Sequence, residues 1–250
     1  NGDCYREVSP NAAQREEPKV WPSDCRSSDD AFALRGKAST MLIYFLAFVP
    51  FINTFHGVTA GQPHGETRMD YGEHYIPYQD MTKAFNTSKK QWLYGANFEI
   101  PSQYQDYKCV NFRKDRLSDQ ELNFTAYYMK SSEYGATRLY GKLSKDISGA
   151  ETDKAKIRTG PNSIEVSSKP DFTEGTTFRL IYSNAKNCSI LRVPSQLQGA
   201  GCIVLLTIDT VKKGLPRYCN TTYQNACGTQ RTFYKVFSDD CKLTENPAGC

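Results

Sequence analysis

Histidine is the scarcest chemical resource in this chain: only three occur in 250 residues, His56, His64 and His74. All three lie ahead of the region where regular structure is expected. A Ser/His/Asp or Cys/His catalytic constellation and a His-rich metal site are therefore excluded in practice. No Cys-x-x-Cys pair occurs, which removes the usual zinc spacing. Charge of one sign is also lacking, because 31 basic residues face 27 acidic ones. A net charge of +4 is too mild to call for nucleic acid. Long apolar runs are missing except for one, Met41 to Asn53. What remains is an ordinary globular composition, 39% hydrophobic and 12% aromatic, with nine cysteines. Nine is high for a reducing compartment, and an odd number cannot pair internally in full.

The apolar run carries no charge, follows Arg35 and Lys37, and leads to the small-residue sequence Val58-Thr59-Ala60. At roughly a dozen residues it is short of the ~20 that a membrane span needs, and it suits a signal-peptide core. A buried core helix or an uncleaved anchor are the other readings, but Pro50, Asn53 and Thr54 interrupt any longer span. Met41 is then the expected start, with residues 41–60 a signal peptide. Residues 1–40 are an upstream segment outside the mature protein, either translated non-coding sequence or a pro-segment. Residues 61–250 form one secreted domain. Secretion makes Asn86, Asn123, Asn187 and Asn220 glycan sites, and turns the seven cysteines from Cys109 to Cys250 into a disulfide framework.

Tyr78, Met81 and Phe85 recur at helical spacing, which predicts a short helix over Ile76–Phe85. From Gln91 the texture changes to short β-branched and aromatic runs: Gln91–Phe98, Lys108–Arg113, Leu122–Met129, Thr137–Leu143, Ser163–Ser168, Thr176–Ser183, Cys188–Val193 and Cys202–Ile208. Eight short strands without interleaved helices argue for an antiparallel sandwich or barrel. A glycan on Asn123 must point outward, so Leu122, Phe124, Ala126 and Tyr128 point inward. By the same period Phe178, Leu180 and Tyr182 share a face. Cys219, Tyr223 and Cys227 fall on one side of a later helix behind Leu215-Pro216. The inward aromatics line either a packed core or a ligand cavity.

The order of these pieces carries a resemblance. The motifs are Tyr78-Gln-Asp-Met81, Lys90-Gln-Trp-Leu-Tyr94, Tyr107-Lys-Cys-Val110, Phe178-Arg-Leu-Ile-Tyr-Ser183, Lys186-Asn-Cys-Ser-Ile-Leu-Arg-Val-Pro194, Leu215-Pro-Arg-Tyr-Cys219 and Val236-Phe-Ser-Asp-Asp-Cys-Lys242. Together, from about Tyr75 to Lys242, they resemble the histamine-binding salivary lipocalins of ticks. The resemblance implies an all-β fold, an eight-stranded antiparallel up-and-down lipocalin barrel with a short N-terminal helix and a C-terminal helix packed outside. It implies the disulfides Cys109–Cys241, Cys188–Cys219 and Cys202–Cys227, leaving Cys250 free, blocked or available for a dimer. It also implies a monomeric binding protein without cofactor or metal, whose partner is a host mediator such as a biogenic amine or a lipid.

The family's amine signature places an acid after the Lys-Asn-Cys cysteine and an acid-Leu-aromatic triplet on the eighth strand. Here those positions hold Ser189 and Val204-Leu205-Leu206, and a further family carboxylate falls near Phe178. A buried cationic amine needs carboxylates, so these departures favour an apolar lipid mediator over histamine. The expected ligand-binding residues are Trp92, Tyr94, Phe98, Phe124, Tyr128, Phe178, Leu180 and Tyr182, with Glu99 and Tyr104 available to an amine near the barrel mouth. Arg138, Arg179 and Arg192 are the cations considered for a lipid carboxylate, although Arg179 has the wrong strand parity. Enzymatic activity, nucleic-acid binding and membrane residence after signal removal are not expected. The rival is a barrel with a filled interior that captures a host protein through its surface.

Overall fold

The computed structural model describes residues 67–100, 105–148 and 158–242. The expected upstream segment and signal peptide, Tyr104 and Cys250 lie outside them. Eight antiparallel strands follow in order: β1 (Gln91–Ala96), β2 (Tyr107–Leu117), β3 (Leu122–Lys130), β4 (Glu133–Ser144), β5 (Ser163–Ser167), β6 (Thr176–Ser183), β7 (Cys188–Val193) and β8 (Gly201–Thr207). Each pairs with the next, and β1 pairs with both β8 and β2 to close the barrel. The β1–β2 seam is short, spanning Gln91–Phe112 and Trp92–Asn111. Beyond it a two-residue strand, β9 (Tyr234–Lys235), takes the vacated edge of β1 at Gly95 and Ala96. Covering that edge satisfies backbone groups that would otherwise stand unpaired.

The expected helix over Ile76–Phe85 is broken in two. Pro77 lies in a 3-10 segment, Glu73–Tyr78, and α1 is only Met81–Phe85. Asp80 starts α1 afresh by accepting a hydrogen bond from the Lys83 N–H at 3.1 Å. After β8 come a single turn, α2 (Ile208–Val211), and α3 (Arg217–Cys227). Pro216 sits at the N-cap of α3, and Gly228, at φ 89°, ends it in a conformation glycine adopts without strain. Cys219, Tyr223, Ala226 and Cys227 form its buried face, as the four-residue spacing of Cys219, Tyr223 and Cys227 predicts.

The barrel wall separates two apolar clusters. The inner one includes Leu93, Leu122, Leu139, Leu180, Leu191 and Leu205. The outer one lies between the wall, α3 and the N-terminal 3-10 turns, and includes Trp92, Ile181, Ile190, Val204, Tyr223 and Phe237. Trp92 meets Phe237 edge-on at 5.6 Å, and Tyr223 meets Phe233 at 5.4 Å, an arrangement aromatic quadrupoles favour. Gly95 is required beneath Phe233, because a Cβ there would stand 2.4 Å from the ring.

Three disulfides tie the outer cluster: Cys109–Cys241, Cys188–Cys219 and Cys202–Cys227. They are the three pairs the resemblance implies. Beside them Arg192, with no exposed surface, grips Asp70 with two parallel hydrogen bonds, Nη2 to Oδ1 at 2.8 Å and Nε to Oδ2 at 3.0 Å. Its third nitrogen donates to the Ala226 carbonyl on α3 at 3.1 Å. Arg179 extends the network from Asp70 to Asp146. Burial alone would push the Asp146 carboxyl up, but hydrogen bonds from Ser148 and Arg179 hold it below the ordinary carboxylate range. Arg158 completes the network through the Gln79 side chain and the Asp70 carbonyl.

Candidate functional site

The inner face is closed at one end by aromatic packing. Phe98, Tyr107 and Tyr128 are all buried there, with the two tyrosine rings 5.0 Å apart. Tyr128 lies across Gly135 on β4, where a Cβ would stand 2.5 Å from the ring. At the opposite end, where β1 begins, α1 inserts Met81 and Ala84 into the inner cluster. Between α1 and the wall a slot remains. Its lining is Phe85, Phe112, Leu122, Phe124, Ile164, Val166, Phe178, Leu191, Ile203 and Leu205, with Thr87, Lys89, Gln91 and Lys114 at its polar side. The slot is a cavity of about 60 Å³. Phe112 and Phe124, on the paired strands β2 and β3, meet edge-on at 5.7 Å in its wall.

Among the described residues no carboxylate lines this slot. Ser189 pairs with Leu205 on the inner face, whereas Val204 and Leu206, the expected acid and aromatic positions of the triplet, belong to the outer cluster and do not face the slot; Phe178 is buried among apolar neighbours. Two cations stand at the mouth instead. Lys89 pairs with Asp209 outside the slot, and Lys114 donates to Asn86 Oδ1 at 3.2 Å. Both partners are at the surface, where a charge is easily shared with another anion.

The expected residues divide cleanly by face. Phe98, Phe124, Tyr128, Phe178 and Leu180 belong to the inner cluster or pack against it, and of these Phe124 and Phe178 line the slot. Trp92, Tyr94 and Tyr182, expected inside, belong to the outer cluster. Trp92 packs on Phe237, Tyr94 on Phe233, and Tyr182 lies between Tyr78 and Tyr218. Trp92 and Tyr94 flank the inward Leu93 and alternate outward, and a pair of β-bulges then separates Phe98 from them and Tyr182 from Leu180. The β1–β8 register slips between Leu93 and Gly95, so Tyr94 is an extra residue. The β6–β7 register slips between Leu180 and Tyr182, so Ile181 is extra. One extra residue moves everything beyond it to the other face. Phe98 is thereby turned in while Trp92 and Tyr94 stay out, and Tyr182 is turned out while Leu180 stays in.

Glu99 is exposed beyond β1, in a surface cleft with Lys108 and Lys235, away from the slot. None of the three arginines considered for a lipid carboxylate reaches the slot. Arg138 is exposed on β4, and Arg179 and Arg192 belong to the Asp70 network. Lys114 was the cation to find. It follows Phe112 by two residues on β2, so continuing that strand's alternation past Arg113 turns it to the same face. Of the sequon asparagines, Asn86 is exposed, and Asn123, Asn187 and Asn220 are half-exposed. Asn187 Oδ1 accepts hydrogen bonds from Tyr218 at 2.6 Å and Asn184 at 2.7 Å.

The family model described as tick histamine binding protein matches residues 70–243. Among solved structures, AM182 in a serotonin complex is 13% identical, covers 65% of this chain and 92% of its own, with a TM-score of 0.48. Japanin from Rhipicephalus appendiculatus, bound to cholesterol, is 11% identical, with coverages of 63% and 98% and a TM-score of 0.43. Apocrustacyanin C2 is 12% identical, with coverages of 64% and 82% and a TM-score of 0.40. No curated protein matches the chain.

Proposed function

The chain belongs to the tick histamine binding protein family, and from that premise we propose that it is a secreted, glycosylated binding protein that sequesters a small apolar host mediator. Such sequestration would blunt an inflammatory or haemostatic signal and so evade host defence. The observation that carries this reading is an apolar slot that has two lysines at its mouth and, among the described residues, no carboxylate. An ammonium buried there would lack a counter-charge, at a cost of several kcal/mol. A slender lipid with an anionic head matches the slot better, its chain among Phe112, Phe124 and Phe178 and its head toward Lys89 and Lys114. Three disulfides and surface-placed sequons support an extracellular, glycosylated state.

One observation favours a second reading. The cavity volume of the slot is only about 60 Å³, below the ~300 Å³ at which ligand pockets usually begin. A carrier must open the slot by moving the half-buried Phe85, Phe112 and Phe124, whereas a protein-capturing barrel would keep it shut. Native mass spectrometry against histamine, serotonin, leukotrienes and fatty acids separates the two. The carrier reading expects one lipid anion per barrel, no stoichiometric histamine, and about tenfold weaker lipid binding in Lys114→Glu. Tight histamine binding would sink the argument from missing acids, and no binding to any of them favours protein capture.

A further inference from the structure

A polar arc interrupts the apolar lining beside the slot. Ser183 on β6 pairs with Ser189 on β7, and Thr207 on β8 pairs with Gln91 on β1. By strand parity all four lie on the inner face, with Leu205. All are buried, Gln91 to 6% exposure and Thr207 to 4%. The two serines satisfy one another, Ser189 Oγ to Ser183 Oγ at 3.0 Å. Gln91 uses its Nε2 to donate to the Ala84 carbonyl at 3.2 Å, which leaves its carbonyl oxygen for something else. Gln91 Oε1 and Thr207 Oγ1 have no hydrogen-bond partner among the described residues. Buried polar atoms are rarely left so, and each such case asks what the partner is.

These side chains enclose a pit of about 10 Å³, room for about one water-sized group. Thr87, Gln91 and Leu205 wall both the pit and the slot, so the two are adjacent parts of one site. The chemistry of the pit narrows its occupant. Among the described residues no carboxylate lines it, and Lys186 does, so an ammonium finds no counter-charge there. A ketone or ester oxygen could accept from Thr207 but would leave the Gln91 oxygen unpaired. A carboxylate would set its charge against that same oxygen. An alcohol does both jobs with one atom, donating its O–H to Gln91 Oε1 and accepting the Thr207 O–H.

We propose that this pit is a hydroxyl subsite, reading a neutral alcohol group on an apolar ligand whose body fills the slot. The proposal rests on the carrier reading above and adds the feature by which one apolar mediator is told from another. Sites built to hydrogen-bond a ligand group discriminate by leaving their own polar atoms unpaired when the group is missing.

The test is calorimetric titration of the intact protein with 1-decanol and with its methyl ether, which keeps the chain and the oxygen but loses the donor. Decanoate serves as a separate probe of the slot. The alcohol is expected to bind the wild type roughly five- to tenfold more tightly than the ether, the worth of about one buried hydrogen bond. Gln91→Met should shrink that preference to under about twofold, whereas Thr207→Val, which removes a donor that alcohol and ether both use, should weaken the two alike by about five- to tenfold. Equal affinities in the wild type, a preference that survives Gln91→Met, or unchanged affinities in Thr207→Val overturn the subsite. If decanoate binds while alcohol and ether are not distinguished, the hydroxyl subsite alone falls. If none of the three binds, the carrier reading falls with it.

Discussion

On the inner face of the barrel wall, leucine, isoleucine, valine and phenylalanine side chains meet through dispersion and burial. Among the described residues of that cluster there is no disulfide and no buried ion pair. The outer face is held differently. It carries all three disulfides and the Arg192–Asp70 pair. Apolar contacts are non-directional and can be repacked at modest cost, whereas covalent and charge-paired contacts are specific to one geometry. The barrel is therefore clamped from outside, and its interior is left free to differ.

The first way to break this contrast is to remove the longest clamp. The Cys109→Ser, Cys241→Ser double variant releases a bridge between residues 132 apart, and the chain-entropy model puts the loss at about 4–5 kcal/mol. Urea unfolding of the double variant checks this, and a loss under about 1 kcal/mol would shift the clamp to the other two bridges. Next in size is Asp70→Asn, which keeps the shape and strands the Arg192 charge in a site with no exposed surface. Breaking such a pair from one side costs about 3 kcal/mol or more. A variant as stable as the wild type would mean the guanidinium is satisfied by Ala226 and water alone. The smallest effect belongs to the inner face. Phe124→Leu, at the half-buried wall of the slot, should cost less than about 1.5 kcal/mol while changing which lipids bind. Equal losses from the inner and outer substitutions would dissolve the comparison.

The same contrast explains what could be read from sequence. On β3 the pairing with β4 runs from Phe124 to Lys130 without a slip, and there the alternation of Leu122, Phe124, Ala126 and Tyr128 gives the inner face correctly. On β1 and β6 the alternation is equally clear, yet a bulge at Tyr94 and another at Ile181 reverse it. A bulge adds one residue without a distinctive composition, so only the register with the partner strand reveals it. The buried Asp70 network was invisible for a different reason. Asp70 and Arg192 are 122 residues apart, and each looks like a solvated charge on its own element. The pairing of Gln91 with Thr207 likewise exists only across a strand interface. Strand existence and helix faces follow local periodicity, whereas the site depends on neighbours that periodicity cannot bring together.

The Cys109–Cys241 bridge has a bearing on damage as well as on folding. Its two ends enclose β3 to β8 and α3. A peptide bond cut anywhere between those cysteines yields two pieces that are still one covalent molecule. Neighbouring strands across the cut remain paired, and the pieces cannot diffuse apart. A nick by a protease in an exposed turn such as Ser131–Ser132 would then be a scar rather than a break.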